Sequence, residues 1–169
     1  MGLFAASACD LPPEALLAAY AEDPDNYTDC FAVEVQGNVS LADFIAAFYT
    51  TWLFKLERWL LSFALGARAT DQDARNLAEG QTERYSAWTV EARTDSQIVM
   101  CPVGEKTRSW FMVEPLDGTT TLYFGSAVLG TKPGHRTSRT SALLIKLLLP
   151  FHRLYSLALL SAARRKLPR

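Results

Sequence analysis

The chain has 169 residues, 49% of them hydrophobic and 21% charged, and carries a net charge of −1 at neutral pH. That length and balance fit a single domain over residues 1–169 with a core of its own, and they exclude a disordered chain. A charge so near zero, with no basic stripe interleaved with aromatic residues, speaks against a nucleic-acid partner.

Leu11 to Tyr20 (LPPEALLAAY) reads as a short helix opened by its prolines, and Asp23-Pro24-Asp25-Asn26 as a turn. Tyr27 to Val35 then alternates, with Phe31, Val33 and Val35 on one side, as a half-buried strand does. Ser40 and Asp43 have the spacing of a capping box. Behind them Leu41, Phe44, Ile45, Phe48, Trp52, Leu56, Trp59, Leu60 and Phe63 recur at three and four residues, an apolar helical stripe ending at Gly66. The pair Thr50-Thr51 is a natural place for that helix to bend or break. Thr70 to Ala78 predicts a polar helix closed by Gly80.

Four strand signals follow: Arg84–Arg93, Gln97–Val103, Thr107–Glu114 and Thr120–Leu129. The breaks between them are short, which predicts hairpins and hence an antiparallel meander. Alternation selects Trp88, Val90, Val99, Cys101, Val103, Trp110, Met112, Leu122, Phe124 and Val128 as the inward face. Lys132 to Thr140 reads as a basic loop. Ser141 to Lys166 is the longest apolar helical pattern, with Pro150 set to kink it or to start a fresh helix, and Arg164, Arg165 and Lys166 in its last turn. Lys146, His152 and Arg153 make it a poor membrane span, so a core helix is expected.

Three cysteines (Cys9, Cys30, Cys101) with no Cys-x-x-Cys spacing suit a reducing compartment rather than a disulfide framework or a zinc site. No signal peptide is read at the N-terminus, and a cytoplasmic protein is expected. Dinucleotide, Walker, GxSxG and HExxH motifs are absent. With only His135 and His152 in the chain, neither a histidine-rich metal centre nor any cofactor is expected.

The order of one strand, a helical section, an antiparallel meander and a long closing helix matches the helix-grip plan. Four stretches also carry a family likeness: Tyr27-Thr28-Asp29-Cys30-Phe31, Arg108-Ser109-Trp110-Phe111, Leu122-Tyr123-Phe124-Gly125-Ser126-Ala127-Val128 and Pro150-Phe151-His152-Arg153-Leu154-Tyr155. On these the chain resembles a bacterial family of small START-like proteins, kin to polyketide cyclases and lipid carriers, with which no activity travels. The resemblance implies an α+β fold in which a curved antiparallel sheet wraps the C-terminal helix and leaves a cavity between them. Two departures stand out. Four strands are read after the helices where the plan has six, and the third meander strand, from Arg108 to Met112, lacks the acidic and basic residues of relatives.

These readings converge on a small hydrophobic or amphipathic ligand held between sheet and helix. Its expected contacts are Trp88, Cys101, Arg108, Trp110, Met112, Phe124, His152 and Tyr155. His152 is the candidate acid/base in a cyclase- or isomerase-type alternative, set against a structural histidine that only positions its helix. Cys101 reads first as an inert buried thiol and second as a nucleophile, and Arg108 first as a strand-end charge that reaches water or pairs with Glu57 or Glu114 and second as an anion clamp. A third alternative is a non-catalytic interaction module, with a homodimer as the candidate assembly, because Leu149, Leu157 and Leu160 lie off the main stripe of the closing helix.

Overall fold

A computed structural model describes residues 5–65, 69–130 and 139–167; the side chains of 60–65 and 139–149 are not described. The expected basic loop therefore lies almost wholly outside the described residues, as do the side chains of Leu60, Phe63 and Leu149.

Seven strands form one open antiparallel sheet: β1 (Ser7–Ala8), β2 (Tyr27–Gln36), β3 (Arg84–Tyr85), β4 (Trp88–Arg93), β5 (Gln97–Pro102), β6 (Thr107–Leu116) and β7 (Thr119–Val128). The spatial order is β1-β2-β7-β6-β5-β4-β3, so the meander closes back onto the first long strand. The helices are α1 (Ala18–Ala21), α2 (Leu41–Tyr49), α3 (Trp52–Leu65), α4 (Asp71–Ala78) and α5 (Arg139–Lys166). This is the α+β helix-grip plan, with α5 packed against β2 and α2. The segment expected as one strand over Arg84–Arg93 is divided at Ser86, and β1 is an edge strand that the sequence pattern does not announce.

Local chemistry explains the boundaries. Ser40 Oγ accepts from the Asp43 amide at 3.1 Å while the Asp43 carboxylate accepts from the Ser40 amide, the expected capping box. Thr70 and Asp73 repeat it at the start of α4. At the break between α2 and α3, Thr50 Oγ1 donates to the Ala46 carbonyl at 2.7 Å, and Thr51 Oγ1 accepts from the Phe54 amide at 3.2 Å. One threonine thus closes α2 and the next caps α3. Pro150 lies inside α5, whose helical assignment runs through it. The β6–β7 hairpin turns on Asp117 and Gly118, both at positive φ, as a two-residue type I′ turn requires.

The sheet is buried on both faces. Its concave face carries Phe31, Val33, Val35, Ile98, Met100, Phe111, Val113, Leu122 and Phe124 against α2, α4 and α5. Its convex face carries Cys30, Val99, Trp110, Met112 and Ala127, covered by the N-terminal segment through Ala15 and Leu17. Gln97 fastens that cover: its Oε1 accepts from the Leu16 amide at 2.8 Å and from Trp110 Nε1 at 2.9 Å, while Nε2 donates to the Glu14 carbonyl.

Candidate functional site

A cavity of about 310 Å³ opens between the concave face and α5. Rings make most of its wall: Phe48 and Tyr49 from α2, Phe54 from α3, Trp88 from β4, Phe111 from β6, Phe124 from β7 and Tyr155 from α5. Many of these rings pack edge-on or tilted against one another, for instance Phe48 on Phe111 and on Phe124, each at 4.8 Å between centroids.

Polar groups cluster at two places on this wall. At the first, Ser126 Oγ lies 2.7 Å from His152 Nε2 and 2.6 Å from Asp29 Oδ1. Asp29 Oδ1 also accepts from the Ser126 amide at 3.1 Å, and Oδ2 stands 3.4 Å from His152 Nε2. The Asp29 side chain is 7% exposed and that of His152 37%, so the carboxylate backs the cluster and the imidazole faces outward. Burial opposes ionisation of Asp29, but the hydrogen bonds from His152 and Ser126 outweigh it and hold the pKa below the ordinary carboxylate value. An ionised Asp29 can only accept, so the single Ser126 proton goes to it and Nε2 must donate to Ser126 Oγ. Nε2 therefore carries a proton and is engaged by Ser126.

At the second, Tyr155 Oη donates to Glu57 Oε2 at 2.5 Å. Burial pushes the Glu57 carboxyl upward, against the lowering influence of the Tyr155 hydrogen bond and of His152. Tyr49 Oη is fully buried and has no hydrogen-bond partner among the described residues.

Four of the expected contacts, Trp88, Phe124, His152 and Tyr155, meet in this wall. Cys101, Trp110 and Met112 are not among its residues; β5 and β6 run in the opposite alternation, so Trp110 and Met112 belong to the convex core. Arg108 reaches the wall at one end. Its guanidinium, however, pairs with Glu91 at 2.6 Å, lies over the Tyr20 ring and donates to the Glu105 and Thr107 carbonyls. It pairs with neither Glu57 nor Glu114. Burial keeps the Cys101 thiol above its ordinary pKa despite Arg108 nearby, which disfavours the thiolate. Asp29, Ser126, Glu57 and Tyr49 were not singled out by sequence for the cavity. Asp29 and Ser126 do stand in the stretches that carry the family likeness.

Elsewhere, a depression of about 560 Å³ lies among α2, α4 and the end of α5, lined by residues such as Asp43, Thr50, Asp71, Arg75 and Lys166. It gathers none of the expected contacts. Among the described residues, no three His, Cys, Asp or Glu side chains assemble as a metal site would require. Nor is any described helix long and apolar enough to cross a membrane.

No protein-family model matches the chain, and no curated protein matches it. Among solved structures it is similar to the apo form of the quaternary ammonium Rieske monooxygenase CntA, at 14% identity over 89% of this chain and 40% of that one, with a TM-score of 0.38. It is similar to the di-domain ARO/CYC BexL from the BE-7585A biosynthetic pathway, at 11% identity over 89% of this chain and 54% of that one, with a TM-score of 0.41. Against Ara h 8.0201 the identity is 10% over 82% and 97% of the two chains, with a TM-score of 0.33. The chain thus spans well under two thirds of CntA and of BexL. Likenesses this distant say nothing of the site, and the helix-grip assignment rests on the chain's own topology.

Proposed function

We propose that this protein binds a small hydrophobic or amphipathic molecule in the cavity between the sheet and α5. The observation that carries the reading is the ring-lined space itself, with the His152 and Glu57 clusters set among its rings. Its volume stands at the low end of the roughly 300–1,000 Å³ typical of ligand pockets. Binding would draw on apolar burial at roughly 25 cal/mol per Å², less the cost of immobilising the ligand. The START-like resemblance fits such a carrier or receptor role.

An enzymatic reading has one observation in its favour: His152 and Glu57 face a common cavity, and general acid/base chemistry needs two such groups within reach of one substrate. In that case the reaction is of the cyclase or isomerase kind, with His152 as the acid/base. His152→Ala would then stop turnover and leave ligand binding in place.

Native mass spectrometry of protein purified from its own cells tests the binding reading. A co-purifying molecule released on denaturation supports it and names the ligand class. A bare mass at twice that of the chain would shift the weight to a homodimer, for which exposed Trp52 and Leu56 on α3 and Phe151 and Leu154 on α5 offer apolar surface.

A further inference from the structure

The cavity's polar groups have a sign. Glu57 has one oxygen engaged by Tyr155; its other oxygen has no protein hydrogen bond among the described residues, and the side chain lines the cavity. His152 acts on Glu57 only through space, because Nε2 is hydrogen-bonded to Ser126 and stands 3.4 Å from Asp29. Among the described residues of the wall the other basic side chain is Arg108, and its guanidinium is held by Glu91 and by carbonyls at the strand end. Among the described residues the wall therefore presents a carboxyl with no cation in hydrogen-bond contact, and aromatic rings line the same wall.

Resting on the binding reading above, we propose that the ligand is a small aromatic or otherwise apolar amine whose ammonium group is received by Glu57. Trp88, Phe54 and Tyr155 share the cavity wall with Glu57, and a cation over a ring face gains from the ring quadrupole as well as from the carboxylate. An anionic ligand would meet the like charge of Glu57, and a buried like charge is repelled strongly. The upward push on the Glu57 carboxyl agrees: a cation alongside would relieve the cost of ionising it.

The test uses displacement of a neutral fluorescent probe, N-phenyl-1-naphthylamine, from the full chain by three ligands on one frame: 2-phenylethylamine, 2-phenylethanol and phenylacetate. The amine should displace the probe at about a tenfold lower concentration than the alcohol, with phenylacetate weakest. Glu57→Gln should erase the amine's advantage over the alcohol. An alcohol or carboxylate that competes as well as the amine overturns the proposal, as does an amine advantage that survives Glu57→Gln. The wild-type order decides the matter even if that variant does not fold. Failure of the neutral probe to bind wild-type protein instead overturns the cavity reading itself, and this inference with it.

Discussion

His152 on α5 and Ser126 on β7 meet at 2.7 Å, but the serine's proton points the other way, to Asp29. A nucleophilic serine needs the histidine to take its proton. Here the direction is reversed, so Ser126 is a strut between sheet and helix. A fluorophosphonate probe should leave Ser126 unlabelled after prolonged incubation, read by peptide mass spectrometry. Ser126→Ala should lower unfolding stability by about 1–2 kcal/mol in denaturant titration. Labelling at Ser126 would contradict the assignment.

Asp29 gives the cluster a pH signature. Its folded-state pKa lies below the ordinary value, so the stability it contributes is fully present above the unfolded carboxylate pKa of about 3.9 and is lost as pH falls through the lower folded value. Asp29→Asn should therefore cost about 1–3 kcal/mol at neutral pH. The gap between wild type and variant should stay flat above about pH 5 and close on acidification below about pH 4. Thermal melts across that range would show it. A gap that widens in acid would mean that Asp29 is protonated in the folded protein.

Tyr49 carries a buried hydroxyl with no partner among the described residues, a group whose desolvation is uncompensated. Tyr49→Phe should leave the ligand-free protein as stable or up to about 1 kcal/mol more so. A loss of stability beyond about 1 kcal/mol, measured by urea titration, would show that the hydroxyl has a structural partner.

Gly125 marks where the convex cover comes closest. A Cβ there would stand 2.7 Å from the Asp29 carbonyl, 2.9 Å from Leu17 Cδ2 and 3.0 Å from Trp110 Cε3. The carbonyl belongs to a strand paired on both sides and cannot withdraw. Gly125→Ala should cost roughly 2–3 kcal/mol, and the melting temperature should fall accordingly. An unchanged melting temperature would mean that the β2–β7 pairing is looser than described.

Much of this architecture is legible in the chain. The capping box at Ser40, the polar helix from Thr70, the threonine break, the turn at Asp117-Gly118 and the antiparallel meander all follow from local chemistry and are found where expected. The facing of β5 and β6 is not legible, for a physical reason. Ile98, Val99 and Met100 are all buried, as are Trp110, Phe111, Met112 and Val113, so apolar alternation no longer distinguishes the two sides. What makes the second side apolar is the N-terminal cover latched by Gln97, a contact 81 residues apart in sequence. The register shift between Val90 and Ala92 disturbs the pattern further. His152 stood out as a polar residue in an apolar helix. Its partners did not, because Asp29 and Ser126 reach each other across 97 residues through strand pairing. Glu57 was legible as a charge on an amphipathic helix and a candidate partner of Arg108, not as a cavity residue.

The most direct test of the central claim is titration of the full chain with N-phenyl-1-naphthylamine, comparing wild type with Val128→Trp, which places a large side chain in the cavity wall. The wild type should bind the probe in a saturable way with a blue-shifted emission, and the filled variant should bind at least about tenfold more weakly while keeping its circular dichroism. Equal binding by both, or none by the wild type, would contradict a ligand site between the sheet and α5.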